Sequence, residues 1–234
     1  MVRLQKFLSE AGVASRREAD RLIFAATTTV NGVLQMDPAF DVAEEDEVIF
    51  DGRRIKIQSD VRVIILNKPK GYITTAHDPQ GRKTIMELVP RKPRLFTIGR
   101  LDRNSTGVLL LTNDGLLAQE LMLPKNKIPR IYELEIDRML DKSEIMKMRR
   151  GIFIGFRQKG QAKVLQQKVI KKRVLVRLEL CHGKNREIRR IMAVLKRKIF
   201  LLHRKSYGPI DLKGVPVGKW RKLTKTEVNT LRKL

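Results

Sequence analysis

The 234-residue chain holds 50 lysines and arginines against 25 aspartates and glutamates, a formal charge of +25. With 42% apolar residues it can bury a core as one large domain, or as a small domain followed by a medium one. The charge excess repels itself in a compact fold and favours a polyanionic partner, nucleic acid ahead of an acidic membrane. One cysteine, Cys181, excludes an intrachain disulfide and a multi-cysteine metal site, and His77, His182 and His203 lack ligand spacing. A membrane helix needs an apolar run of about 18 residues, which is missing, and no apolar signal core follows Met1. The expectation is a cytoplasmic, metal-free monomer that does not bind membranes. Aromatic residues make up 5% of the chain, too few for a broad base-stacking platform.

From the N-terminus, Leu4, Phe7, Leu8 and Ala11 share one helical face, and Gly12 ends it. Ser15, with Glu18 in the third position after it, predicts a capping box that opens a second helix. Ala19, Leu22 and Ile23 then point inward, and Arg16, Arg17 and Arg21 lie on or near the outer side. Thr28 to Leu34 reads as strand, Asn31-Gly32 turn, strand, and the signature returns around Asp51-Gly52. Residues 1–58 are expected to form a compact basic unit whose exposed arginines suit phosphate contacts.

A second domain, residues 61–234, is expected to open with a strand at 61–66, broken by Asn67-Lys68-Pro69-Lys70-Gly71. A strand at 72–75, a turn at 78–81 and a helical turn at 84–88 follow. Residues 95–98 lead into Gly99-Arg100-Leu101-Asp102-Arg103-Asn104-Ser105-Thr106-Gly107 and an apolar strand. Further strands are expected at 130–136, 163–167 and 169–180, and helices at 115–121, 142–150 and 185–195. Strands and helices mix without a regular βαβ rhythm. The fold class is therefore α+β: a small helix–helix–hairpin unit, then a mostly antiparallel mixed sheet flanked by helices.

Asp102 is the candidate for chemistry. It is an acid between two arginines in a chain suited to polyanions, and a partly buried carboxylate needs a charged partner to stay ionised. The best supplier is His182-Gly183-Lys184-Asn185-Arg186-Glu187-Ile188-Arg189-Arg190. Gly183 allows a tight turn, Asn185 can cap a helix, and Arg186, Arg189 and Arg190 share a face. One arginine turned inward would hold the carboxylate while the others hold phosphates. Tyr132, in the strand at 130–136, offers a ring that can stack on an extruded base. Gly155–Gly160 is followed by Gln161, so the phosphate-loop pattern fails.

The N-terminal string Arg3-Leu4-Gln5-Lys6-Phe7-Leu8, Gly12, Ser15-Arg16-Arg17-Glu18-Ala19 and Val30-Asn31-Gly32 resembles the S4 RNA-binding domain. The ordered set Asn67-Lys68-Pro69-Lys70-Gly71, Gly99-Arg100-Leu101-Asp102, Leu109 to Gly115, Arg130-Ile131-Tyr132, Gly183 to Arg190, Tyr207-Gly208-Pro209-Ile210 and Gly218 to Leu223 resembles pseudouridine synthases of the RsuA/RluB type. The likeness covers nearly the whole chain.

That resemblance implies isomerisation of uridine to pseudouridine in ribosomal RNA, without cofactor or metal. It implies Asp102 as the catalytic aspartate, Tyr132 as the tyrosine that stacks on the target base and helps remove its C5 proton, and Arg189 as the basic partner of the aspartate. Whether the carboxylate attacks the ribose or takes its C2′ proton stays open. Arg3, Lys6, Arg16, Arg17, Arg21, Lys68, Lys70, Arg100, Arg103, Lys184, Arg186 and Arg190 are the expected RNA contacts. Val108 to Leu111 are expected to line or support a closed, partly apolar pocket.

The form of the basic motif favours large-subunit rRNA. A small-subunit target, and a non-catalytic rRNA-binding assembly factor, are the alternatives. Three places depart from the family pattern. Ala26 stands where glycine is usual, His182 where glutamate is common, and Phe156 to Gln161 is basic where an acid usually precedes a glycine.

Overall fold

The computed structural model describes residues 1–57 and 60–234, so the expected domain end at residue 58 lies outside the described residues. Contacts divide the chain into two units, Met1–Val61 with Asn113–Gly115, and Arg62–Thr112 with Leu116–Leu234.

The first unit comprises β1 (Val2–Arg3), α1 (Leu4–Glu10), α2 (Arg16–Phe24), β2 (Thr28–Val30), β3 (Val33–Leu34), β4 (Asp41–Val42), β5 (Val48–Phe50) and β6 (Arg53–Ile55). Leu4, Phe7 and Leu8 from α1 meet Ala19 and Ile23 from α2 over Val30 and Val48, as the sequence pattern anticipates. Ser15 Oγ accepts from the Glu18 amide, giving half of the expected capping box. Glu18 turns its carboxylate to Arg21 instead. Asn31 and Gly32, and Asp51 and Gly52, all have positive φ, which the tight turns of right-twisted hairpins demand. β2 lies between β3 and β5 in an antiparallel sheet that ends at β6.

Ala26 has φ +58, a left-handed conformation that an L side chain disfavours. Ala26→Gly is therefore expected to stabilise this unit by about 1 kcal/mol, read as a raised denaturation midpoint at unchanged slope.

The second unit comprises β7 (Val63–Lys68), β8 (Phe96–Ile98), β9 (Thr106–Thr112), α3 (Gly115–Met122), β10 (Arg130–Ile136), α4 (Lys142–Arg150), β11 (Ile152–Phe153), β12 (Lys159–Gly160), β13 (Lys163–Ile170), β14 (Arg173–Leu180), α5 (Glu187–Val194), β15 (Ile199–Tyr207), β16 (Ile210–Asp211), β17 (Trp220–Lys222) and α6 (Lys225–Arg232). The sheet runs β13-β14-β10-β15-β9-β7-β17, with β8 added on β9 and β16 on β15. β15 and β9 are parallel, and the other strand pairs described in this sheet are antiparallel.

β7 and β9 are buried on both faces, which is why residues 63–66 and 108–111 read as unbroken apolar runs. Val63, Ile65, Val108 and Leu110 face one core cluster, and Ile64, Leu66, Leu109 and Leu111 face another. β10 and β14 instead alternate. Leu134, Ile136, Val174, Val176, Leu178 and Leu180 pack under α4 and α5. Glu133 and Glu135 on the opposite face pair with Arg177 and Arg173 across the strands, at 2.8 and 2.6 Å.

Four expectations change. The opening strand runs through Asn67 and Lys68 rather than breaking there, because both side chains find buried partners. Residues 72–75 form no strand, only an isolated bridge between Ile73 and Thr84. The strand expected at 169–180 is a hairpin: Lys171, at φ +53, turns the chain between β13 and β14. β15 and α6, which no apolar alternation announces, are additional elements, and β15 lies at the centre of the sheet.

Candidate active site

Asp102 sits in the loop between β8 and β9, and this loop is held from below. Lys68, fully buried at the end of β7, donates from Nζ to the carbonyls of Asp102 at 3.1 Å, Ser105 at 2.9 Å, Pro69 at 3.1 Å and Arg103 at 3.4 Å. Thr74 Oγ1 donates to the Leu101 carbonyl at 2.7 Å, and the Arg103 carbonyl accepts from the Gly71 amide at 2.8 Å. Leu101 is buried with Leu109 and Leu111, which anchors the loop to β9.

The backbone leaves no room for adjustment where β9 begins. Gly107 has φ +105, and a Cβ there would stand 2.2 Å from the Arg204 carbonyl oxygen of β15. Only glycine permits the close parallel pairing of Gly107 with Arg204.

Arg189, on α5, reaches the loop from the other side. Its Nε donates to Asp102 Oδ2 at 3.1 Å and its Nη2 to Ser105 Oγ at 3.1 Å. Arg186 places Nη1 3.5 Å from the same carboxylate oxygen. The Asp102 side chain is 29% exposed, so it faces an open cleft while two guanidiniums hold its charge. Tyr132, on β10, lines that cleft, and its hydroxyl lies 3.5 Å from Arg204 Nη1. Arg204 is almost fully buried, and its Nε donates to the Val108 carbonyl at 2.7 Å. β15 thereby joins the strand that follows Asp102 to the strand that carries Tyr132. Behind it, Arg130 Nη2 donates to the buried Tyr207 hydroxyl at 2.9 Å, with the guanidinium over the ring. The cleft has a volume of about 440 Å³, within the range of small-ligand sites. It is ringed by Arg100, Asp102, Tyr132, Lys184, Arg186 and Arg189, with Leu180, Ile188 and Leu202 as apolar walls.

Several sequence expectations land elsewhere. Lys68 is no RNA contact: burial removes it from any phosphate and gives it to the loop carbonyls. Arg190 is spent internally, bonding the carbonyls of Ile154, Gly155 and Asn185 and the Gln158 amide oxygen. Asn185 does not cap α5. The N-cap is Arg186 at φ +48, and the Glu187 carboxylate accepts the amides of Lys184 and Gln161. Val108 to Leu111 do not line the cleft. Leu109 and Leu111 support it through the cluster against which Tyr132 packs. Arg3, Arg16, Arg17, Arg21, Lys70, Arg100 and Arg103 are exposed. Lys6 and Lys184 are half-buried, Lys6 3.6 Å from Glu10 and Lys184 donating to the Lys159 carbonyl. Ser105, Arg130 and Arg204 carry no separate site signal in the sequence, since Ser105 and Arg204 lie within polar runs, Arg103 to Thr106 and His203 to Ser206, and Arg130 opens a strand.

Burial pushes the Lys68 ammonium down to about 8, against the pull of the Asp102 charge. The unfolded chain holds this proton more tightly, so the penalty is fully present below about pH 8 and is relieved as pH rises toward the ordinary lysine value. Lys68→Met removes that dependence but strands buried carbonyls. It is expected to cost about 3 kcal/mol of stability, measured by denaturant unfolding at pH 7.

Residues 62–194 match the model of the RNA pseudouridylate synthase family, and residues 2–48 match that of the S4 domain. The chain belongs to the RNA pseudouridine synthase family. Among its relatives is an uncharacterized RNA pseudouridine synthase of Aquifex aeolicus, 38% identical over 237 residues, spanning 99% of this chain and 94% of that one. The large-subunit pseudouridine synthase B of Bacillus subtilis is 35% identical and spans 100% and 97%. A crystal structure of a pseudouridylate synthase shares the fold at TM-score 0.70 and 24% identity, covering 99% of this chain and 100% of that one. This synthase therefore carries an S4 domain ahead of an α+β catalytic fold. No helix among the described residues is long and apolar enough to cross a membrane.

Proposed function

We propose that this synthase converts uridine to pseudouridine in large-subunit ribosomal RNA, with Asp102, Tyr132 and Arg189 as its reacting set. The observation that carries the chemistry is the Asp102 carboxylate held 3.1 Å from Arg189 Nε in a cleft that Tyr132 lines. The likeness to the Bacillus subtilis large-subunit enzyme, along essentially the full length of both chains, supports the target.

The reaction is balanced within one nucleotide. The N1–C1′ bond breaks, the uracil turns while held, and a C5–C1′ bond forms; C5 loses a proton and N1 gains one. Asp102 acts at the ribose, where a fixed negative charge beside C1′ favours departure of the base. Arg189 and Arg186 orient that carboxylate and offset its repulsion from nearby phosphates. Tyr132 stacks on the extruded uracil and helps remove its C5 proton, its hydroxyl releasing one proton to solvent as it takes the other. Leu180, Ile188 and Leu202 provide apolar walls against loss of the free base. Flipping costs a few kcal/mol, offset by stacking and by phosphate contacts from Lys70, Arg100, Arg103, Lys184 and Arg186. Arg3, Lys6, Arg16, Arg17 and Arg21 of the S4 domain hold RNA outside the target nucleotide.

Purified enzyme incubated with transcripts of each ribosomal RNA tests this reading. Pseudouridine is expected at one or a few sites of the large-subunit transcript and none in the small-subunit one; the opposite pattern would refute the target.

A further inference from the structure

The hairpin β11–β12 closes with three consecutive residues at positive φ: Gly155 at +80, Phe156 at +52 and Arg157 at +55. Two of them carry side chains, and such a run persists only where surrounding contacts over-determine it. Arg190 supplies those contacts. It bonds the carbonyls of Ile154 and Gly155 at 2.8 Å each and Gln158 Oε1 at 3.0 Å, and its guanidinium lies 5.2 Å from the Phe156 ring centroid. The Lys184 ammonium adds a bond to the Lys159 carbonyl. Arg190 belongs to α5, the helix that presents Arg189 to Asp102.

This bracing presents Phe156 to solvent at 89% exposure, beside the exposed Arg157 and Lys159. An aromatic ring that could have packed is held out, so packing does not explain the tip. A ring flanked by cations matches an unpaired nucleobase with its phosphates, because every base offers a face for stacking and the backbone supplies negative charge.

We propose that Phe156 is a base-stacking tip that docks an unpaired nucleotide of the RNA substrate outside the catalytic cleft, with Arg157 and Lys159 on the adjoining phosphates. The proposal rests on RNA as the substrate class and does not depend on which ribosomal RNA is modified. The rigid turn holds the ring in place before RNA arrives, so little ordering cost remains on binding.

The test compares wild type, Phe156→Ala and Phe156→Tyr. Affinity is measured for large- and small-subunit rRNA transcripts at a salt concentration that suppresses general electrostatic binding, and turnover at saturating RNA. Phe156→Ala is expected to bind about ten-fold more weakly, Phe156→Tyr to retain wild-type affinity, and both to keep wild-type turnover. Phe156 is exposed, so both variants fold. Affinity of Phe156→Ala equal to wild type for both RNAs would overturn the proposal. So would loss of binding to assembling subunits alone, with naked RNA unaffected, which would assign the tip to a protein. Either result leaves the wild-type product pattern, and hence the reading of the target, standing.

Discussion

Asp102→Asn is expected to abolish pseudouridine formation, lowering turnover by about 10⁴-fold or more, while RNA affinity stays at or slightly above that of wild type. The amide keeps the size of the carboxylate and can still accept from Arg189, so the loop stays in place. Lys68 and Thr74 hold that loop through backbone carbonyls, which the substitution does not touch. Only the negative charge beside the ribose is lost. The guanidiniums of Arg186 and Arg189 are then unneutralised at the mouth of the cleft, and a polyanion gains by that. Quantified product from single-turnover assays, with affinity measured in parallel, separates this result from unfolding.

Arg189→Ala is expected to lower turnover by about 10²- to 10³-fold and stability by about 2 kcal/mol. The stability loss is smaller than for a sealed ion pair because the Asp102 side chain is 29% exposed and Arg186 remains 3.5 Å away. Turnover suffers more than stability. Arg186 is 54% exposed and makes only the longer contact, so it conserves charge without fixing direction. Arg189→Lys should recover most of the stability and little of the turnover, since an ammonium cannot hold Asp102 Oδ2 and Ser105 Oγ together. Denaturant midpoints and kcat for the three proteins provide the check.

Asp102 was legible in the sequence as an acid in a basic setting, and Tyr132 and Arg189 were legible through the family resemblance; the structure brings the three side chains to one cleft. What supports them was not legible. Lys68 reads as part of a basic turn, and only the fold reveals the carbonyls that accept from its ammonium. Arg204 lies in Ile199–Tyr207, where no alternation marks a strand, yet that strand forms the parallel joint beside the cleft. Arg186 and Arg190 looked like one phosphate-binding face. The left-handed conformation of Arg186 turns it toward Asp102, and the carbonyls of the 154–158 turn take up Arg190. Long-range acceptors of this kind leave no periodic trace in a sequence.

The most direct test of the account is a pseudouridine map of ribosomal RNA from cells lacking this gene, restored either with the wild-type chain or with Asp102→Asn. The account predicts a large-subunit site, or a small set of sites, that is lost on deletion, returns with the wild type and stays unmodified with Asp102→Asn. Return of the modification with Asp102→Asn would contradict it.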